Sequence, residues 1–203
     1  MTTSPVEVHG GDAQLGDALA STPSPRIRFV PDGSSDLARA LGMTAGMPVH
    51  EPIEIDALEL DRGGVAVNMV VFGHAPDRRG APLGRAHCVV EVDGRVAWDG
   101  RATTVLVANG EFLRGLDVVP RGHPGDGRLE VHVHALRAGQ RRRMRARLPT
   151  GAHLPHPGIR AAQCTEVGVR WDRPVPLEVD GRDRGRAQAL SARLLRGAAI
   201  LVP

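Results

Sequence analysis

Gly10, Gly11 and Asp12 stand between a β-prone run that opens at Val6 and a helical pattern from Gln14 to Ser21. Glycine at a strand-to-helix turn lets backbone amides approach a phosphate, and the helix N-terminus favours negative charge there. The stretch Phe29 to Gly42 repeats the plan. A strand runs into Pro31-Asp32-Gly33, Ser34 or Ser35 can cap the second helix, and Asp36 lies in that helix's first turn. The chemistry these types and spacings allow is phosphate binding; an ordinary pair of strand-to-helix turns is the alternative.

Two carboxylates invite a similar double reading. Asp126-Gly127 and Asp180-Gly181 both sit between apolar runs, where Asp-Gly supplies the positive φ values of a tight hairpin. His132 and His134 are two apart on a strand and share a face, and His153 and His156 can meet on one side of a turn. No cysteine or carboxylate completes a zinc ligand set around them, so satisfied or solvent-facing histidines are the expectation. Arg137, Arg141, Arg142, Arg143, Arg145 and Arg147 form a basic run without an acid. Such a run fits anionic lipid headgroups or a solvated helix face. Gly-x-Ser-x-Gly, the dinucleotide glycine fingerprint and the Walker loop are absent from the sequence.

Positioning these groups falls to two kinds of element. As far as Pro48 the pattern reads strand, helix, strand, helix, with a break at Ser24 and Pro25 and Gly42 just past the second helix. Beyond it, strands are expected over Ile53 to Leu60, Val65 to Phe72, Ala86 to Val92, Val96 to Trp98 and Thr103 to Ala108. Arg128 to Ala135, Glu166 to Trp171, Leu177 to Asp180 and Ala198 to Val202 continue the series, with one helix from about Leu136 to Leu148. Val92-Asp93-Gly94-Arg95 is a hairpin signal. Many short strands with Gly and Asp turns indicate a β-sandwich or barrel.

Composition narrows the functions. The 26 basic residues are all arginine and stand against 23 acids, so the net charge is only +3. With no Tyr, two Trp and three Phe, the chain lacks the stacking aromatics of a nucleic-acid binder, and nucleic acid is not the expected partner. Cys88 and Cys164 form no Cys-x-x-Cys pair and read as buried thiols of a reducing compartment. No apolar run reaches the length of a membrane span. The expectation is a cytoplasmic protein, peripheral at most at the inner membrane face.

The ordered set of motifs resembles the diacylglycerol kinase family, which includes the sphingosine and bacterial lipid kinases. Gly10, Gly11 and Asp12 resemble its Gly-Gly-Asp-Gly-Thr loop. Pro31, Gly33, Asp36, Ala38 and Arg39 resemble its Pro-x-Gly-Thr-x-Asn-Asp-x-Ala-Arg segment. Val67 to Gly73, Val105 to Gly110, Gly125 to Val131, His153 to Arg160 and Pro176 to Arg182 succeed one another in family order. Ala13-Gln14 replaces Gly-Thr, Ser34-Ser35 replaces Thr-Gly-Asn with one residue fewer, and Arg182 replaces a Glu. The insertion after the Asn-Val strand is reduced to roughly Gly73 to Gly84, and the family carries further elements ahead of its Gly-Gly-Asp loop.

The resemblance implies an α+β fold: a truncated α/β nucleotide-domain remnant, residues 1–48, followed by a β-sandwich of the lipid kinase and NAD kinase-like type, residues 49–203. It implies ATP-dependent phosphorylation of a lipid hydroxyl, with ATP and Mg2+ as cofactors if the protein is active. Gly10, Gly11, Asp12, Gly33, Ser34 and Ser35 would then hold the nucleotide. Asp180 would be the base, or else a plain hairpin residue; Asp126 would help hold magnesium, or else only form its turn. Arg182 beside Asp180 would lower the carboxyl's pKa. The departures imply the alternative, a pseudokinase that binds a lipid or a partner without cofactors. Lipid or membrane contact would run through Arg137 to Arg147. An α/β segment so small would pack on the β-domain, on a second copy or on a partner chain.

Overall fold

The structure, a computed structural model, describes residues 4–22, 26–78 and 84–203. The expected break at Ser24 and Pro25 lies outside the described residues, as does part of the expected short insertion before Gly84. Strand β1 (Val6–Gly10) pairs in parallel with β2 (Arg26–Pro31) across helix α1 (Asp12–Ser21). Helix α2 (Asp36–Ala40) comes next, capped by Ser35, whose Oγ accepts the Ala38 N–H at 3.0 Å. Of the two serines able to cap this helix, the second does so.

The remaining strands are β3 (Ile53–Leu60), β4 (Val65–Ala66), β5 (Met69–Gly73), β6 (Ala86–Val92), β7 (Arg95–Ala102) and β8 (Thr104–Ala108). A small hairpin, β9 (Phe112–Leu113) with β10 (Leu116–Asp117), precedes β11 (Leu129–His134). Then come α3 (Ala138–Arg145), a 3-10 turn (Leu148–Thr150), β12 (Ile159–Cys164), β13 (Glu166–Val179) and β14 (Arg182–Leu201). Some expected strands are longer, shorter or split. The Val65 to Phe72 run divides at Val67-Asn68, and the last three expected strands are parts of β13 and β14.

These strands form a β-sandwich continuous with the α/β segment, in an order β1-β2-β14-β13-β5-β8-β11-β12, with β3, β4, β6 and β7 paired off this path. Alternation places the strands: in β6, Ala86, Cys88 and Val90 are buried while His87 and Glu91 face outward. The pairing of β13 with β14 breaks register between Arg170 and Val175, where the ladder bends. Inside the fold lie Val70, Phe72, Val105, Val107, Val131, Val133, Val167 and Trp171. The Phe72 and Trp171 rings meet edge to face at 6.0 Å.

The α/β segment does not bury its apolar face alone. Leu15, Ile27, Phe29 and Leu37 share a cluster with Ile55, Ala57, Val67, Ala199 and Leu201 from the β-domain. Of the supports expected for it, the β-domain of the same chain is the one in place, and β14 carries it by pairing in parallel with β2 at Ile200 and Leu201. On the opposite sheet face, Met69, Val71, Leu106 and Ala108 are covered by Leu113, Val118, Leu136, Met144 and Leu148. Among the described residues no helix is long and apolar enough to cross a membrane.

Candidate functional site

The two glycine loops and the Asp180 turn converge. Gly11, Asp12, Gln14, Ser34, Asp36, Asn68, Arg114 and Asp180 line a cleft of about 290 Å3 where α1 and α2 meet the β-domain. Gly16 makes that approach possible. A Cβ there would stand 2.5 Å from the Val65 carbonyl oxygen and 3.4 Å from Asp180 Oδ2, so α1 lies directly on β4.

Asp180 occupies the left-handed region at φ +48°, followed by Gly181 at +78°, as an Asp-Gly hairpin turn requires. Turn residue and polar centre are therefore one. Its Oδ2 accepts the Val67 N–H at 2.8 Å, and its Oδ1 accepts those of Asn68 and Met69 at 3.0 and 2.9 Å. These bonds fasten the split between β4 and β5. Burial pushes the Asp180 carboxyl up to about 6, against the opposing pull of the three amides. The expected lowering by Arg182 does not occur, because the Arg182 guanidinium turns away to pair with Asp17.

Asp12 is a second buried carboxylate. It accepts the Ser35 hydroxyl at 2.5 Å and the N–H groups of Asp36 and Leu37, both at 3.1 Å, so it caps α2 from outside. Burial first, and the Asp180 charge second, push it up to about 7. A carboxylate offers about four acceptor positions. Asp12 makes four contacts with three donors, the Leu37 N–H being shared by both its oxygens at 3.2 and 3.1 Å, whereas Asp180 makes three.

The first glycine loop has its expected conformation with an unexpected filling. Gly10 takes φ +127°, which favours glycine, and a Cβ on Gly11 would lie 2.9 Å from Ser34 Oγ, so the serine hydroxyl packs against that backbone. Gln14, three residues on, folds back and its Oε1 accepts the Gly11 N–H at 3.1 Å. That amide is the donor a phosphate would use. Ser34 gives its hydroxyl to Asp32 at 2.5 Å, Ser35 is committed to Asp12 and the helix cap, and Gly33 borders open space.

A network not anticipated from sequence lies on the other wall. Asp36 accepts the N–H groups of Arg114 and Gly115, the latter at 2.7 Å. Arg114 forks onto Asp77 at 2.7 and 2.8 Å and also pairs with Glu178, which Arg78 meets at 3.3 Å. Burial raises the Asp77 pKa, but the Arg114 hydrogen bonds and charge outweigh it and leave it lowered. Arg114 has φ +51°, and the arginine before Gly115 in a turn between two short strands is the only mark the sequence carries of it. Asn68 gives its amide to the Phe112 carbonyl at 3.1 Å, while its buried Oδ1 has no partner among the described residues.

Asp126 stands apart, exposed, and its Oδ1 accepts the Arg128 N–H at 3.0 Å. Among the described residues no three His, Cys, Asp or Glu side chains gather as a metal site. His132, His134 and His153 are buried and held below the usual histidine range by burial and by neighbouring histidines. A larger cavity of about 900 Å3 opens beside His132, between Pro120 and the segment from Leu154 to Gln163.

For nucleotide, the fit is conditional. Glycine backbone at Gly10 and Gly11 and the unpartnered Asn68 Oδ1 suit a bound polar ligand, but the Gly11 donor is free only when Gln14 releases it. For magnesium, Asp126 supplies one carboxylate, and among the described residues no three His, Cys, Asp or Glu side chains gather around it, so the residues present do not fit the ion.

Residues 68–200 match the family described as the YegS C-terminal NAD kinase beta sandwich-like domain. No curated protein matches the sequence. Among solved structures, two from Bacillus anthracis str. Sterne described as diacylglycerol kinases are similar over nearly the whole chain. One has a TM-score of 0.78 at 17% identity, covering 97% of this chain and 78% of its own. The other has a TM-score of 0.73 at 18% identity, covering 97% and 76%. An NAD kinase from Archaeoglobus fulgidus in complex with ATP gives 0.52 at 11% identity, covering 100% and 82%. At these identities the structures show the fold.

Proposed function

The chain belongs to the YegS C-terminal NAD kinase beta sandwich-like family, and from that premise we propose that it is a diacylglycerol kinase-like protein that phosphorylates a lipid hydroxyl. The observation that carries this reading is Asp180: a carboxyl in the cleft, raised to about 6, with one acceptor position left over after its structural bonds. A base of that strength is largely ionised at neutral pH and suited to take a proton from an attacking hydroxyl. ATP, when bound, supplies the phosphoryl group. The backbone of Gly10, Gly11 and Gly33 and the Asn68 amide oxygen would hold the nucleotide. Asp12 holds α2 in place, its own carboxyl raised by burial and by the Asp180 charge.

A second reading, a pseudokinase that keeps the lipid-binding fold without the chemistry, is favoured by one observation: the Gly11 amide is already satisfied by Gln14. The test is phosphate transfer from labelled ATP to diacylglycerol in mixed micelles with Mg2+, run beside Asp180→Asn. Transfer by the parent and a loss of at least about a hundredfold in the variant is the expected result. No transfer and no ATP binding by folded protein would leave the pseudokinase reading.

A further inference from the structure

Charge is unevenly distributed along this chain. From Val131 to Thr165 there are seven arginines and no acid, whereas the rest of the chain sets 19 arginines against 23 acids. The structure gathers six of the seven on one element. Helix α3 and the residues flanking it carry Arg137, Arg141, Arg142, Arg143, Arg145 and Arg147. Met144 and Leu148 are buried in the cluster beneath, so the segment is fixed to the body by its apolar side. Arg137, Arg142, Arg143 and Arg147 are exposed, and none of these four is ion-paired among the described residues.

We propose that this face docks the protein on an anionic lipid bilayer. The arginines are displayed along about 15 Å of helix α3 and its flanking residues, with neighbours within about one Debye length, roughly 8 Å at physiological salt, of each other, so their fields add. A single-stranded nucleic acid is the other polyanion such a face could meet. It needs aromatic rings to stack on, and none of the five, Phe29, Phe72, Trp98, Phe112 and Trp171, lies on α3 or among the arginines that flank it.

The placement has a further consequence. Arg145 Nη1 donates to the Arg78 carbonyl at 3.3 Å, Arg78 pairs with Glu178, and Glu178 pairs with Arg114 on the wall of the cleft. A bilayer held by α3 therefore lies a short chain of contacts from Asp180. Docking stands independently of phosphoryl transfer and is measured without nucleotide.

The experiment is sedimentation of the whole chain with vesicles of equal parts phosphatidylglycerol and phosphatidylcholine, with pure phosphatidylcholine vesicles as reference. Binding to the anionic vesicles alone, weakened by salt, is expected. Each arginine contributes about fivefold to such partitioning. Replacing Arg142, Arg143 and Arg147 together by Gln should therefore weaken it on the order of a hundredfold. The triple Lys replacement should keep it. Neutralising Arg62, Arg95 and Arg101, exposed elsewhere, removes the same charge and should change binding far less. Equal loss in that control, no loss in the α3 variant, or equal binding to neutral vesicles overturns the proposal. So does tighter α3-dependent binding of a single-stranded oligonucleotide than of vesicles.

Discussion

Gln14 closes the loop it belongs to: its side-chain Oε1 lies 3.1 Å from the Gly11 amide nitrogen, and its side-chain carbons pack where a Cβ on Gly10 would be, at 3.0 Å. The side chain both caps α1 and occupies the donor that an anion would seek. A nucleotide seated on this loop would have to compete with it.

Removing the plug should therefore tighten nucleotide binding. Gln14→Ala frees the Gly11 N–H, and a neutral hydrogen bond of this kind contributes about 1 kcal/mol net, so ATP affinity should rise about fivefold. The helix start loses a comparable amount of stability. Titration of ATP into both proteins by calorimetry checks this; unchanged or weaker binding by the variant would show that the loop does not receive phosphate.

The two raised carboxyls set a pH dependence with a definite sign. Asp12 and Asp180 bind protons more tightly folded than unfolded, so their contribution to stability is fully present below the ordinary aspartate range. It is lost as pH rises through about 6 for Asp180 and about 7 for Asp12. Asp12→Asn keeps the side chain's shape and removes the titration. Denaturant midpoints measured from about pH 4 to pH 8 should fall less steeply in the variant than in the parent. A parallel pair of curves would contradict the burial-driven shift.

Gly16→Ala should destabilise, against helix propensity. In an open helix the change gains up to about 1 kcal/mol. Here the new methyl meets the Val65 carbonyl oxygen at 2.5 Å, and forcing α1 off β4 should cost about 2 kcal/mol net. Thermal unfolding distinguishes the two signs. Because α1 carries the glycine loop at its start, ATP binding should weaken as well.

Arg114→Ala leaves Asp77 and Glu178 beside each other without their shared cation. With Arg114 about a third exposed, a loss of about 2 kcal/mol is expected. Arg114→Lys should recover little, because one ammonium cannot fork onto Asp77 and reach Glu178 at once. Chemical denaturation of both variants decides it; full rescue by Lys would mean that charge alone matters.

Much of the architecture is legible in the residues. The apolar runs mark β3 and β6 to the residue, and Asp93-Gly94 and Asp180-Gly181 form turns with the φ values expected of them. Strand β14 is visible only at its end. From Arg182 to Gly197 it is built largely of Arg, Ala and Leu, which favour helix, and only pairing with β13 and β3 makes it a strand. The site divides in the same way. Gly10, Gly11, Asp12 and Asp180 belong to local motifs, whereas the Arg114 network joins residues far apart in sequence, and no spacing rule can report it. The pKa of Asp180 escapes the sequence for the same reason: Arg182 is two residues away along the chain but bonded to Asp17 across the fold.

Strand β14 comes last in the order of elements, yet it is the neighbour that β2 pairs with on its inner side. Chains emerge from the ribosome N-terminus first, and early segments usually settle as they appear. Here the glycine loops cannot settle early: Ile27 and Phe29 wait for Ala199 and Leu201 to complete their cluster. The cleft is thus assembled only once β14 has emerged, and a chain stalled before β14 would expose the glycine loops to chaperones and proteases.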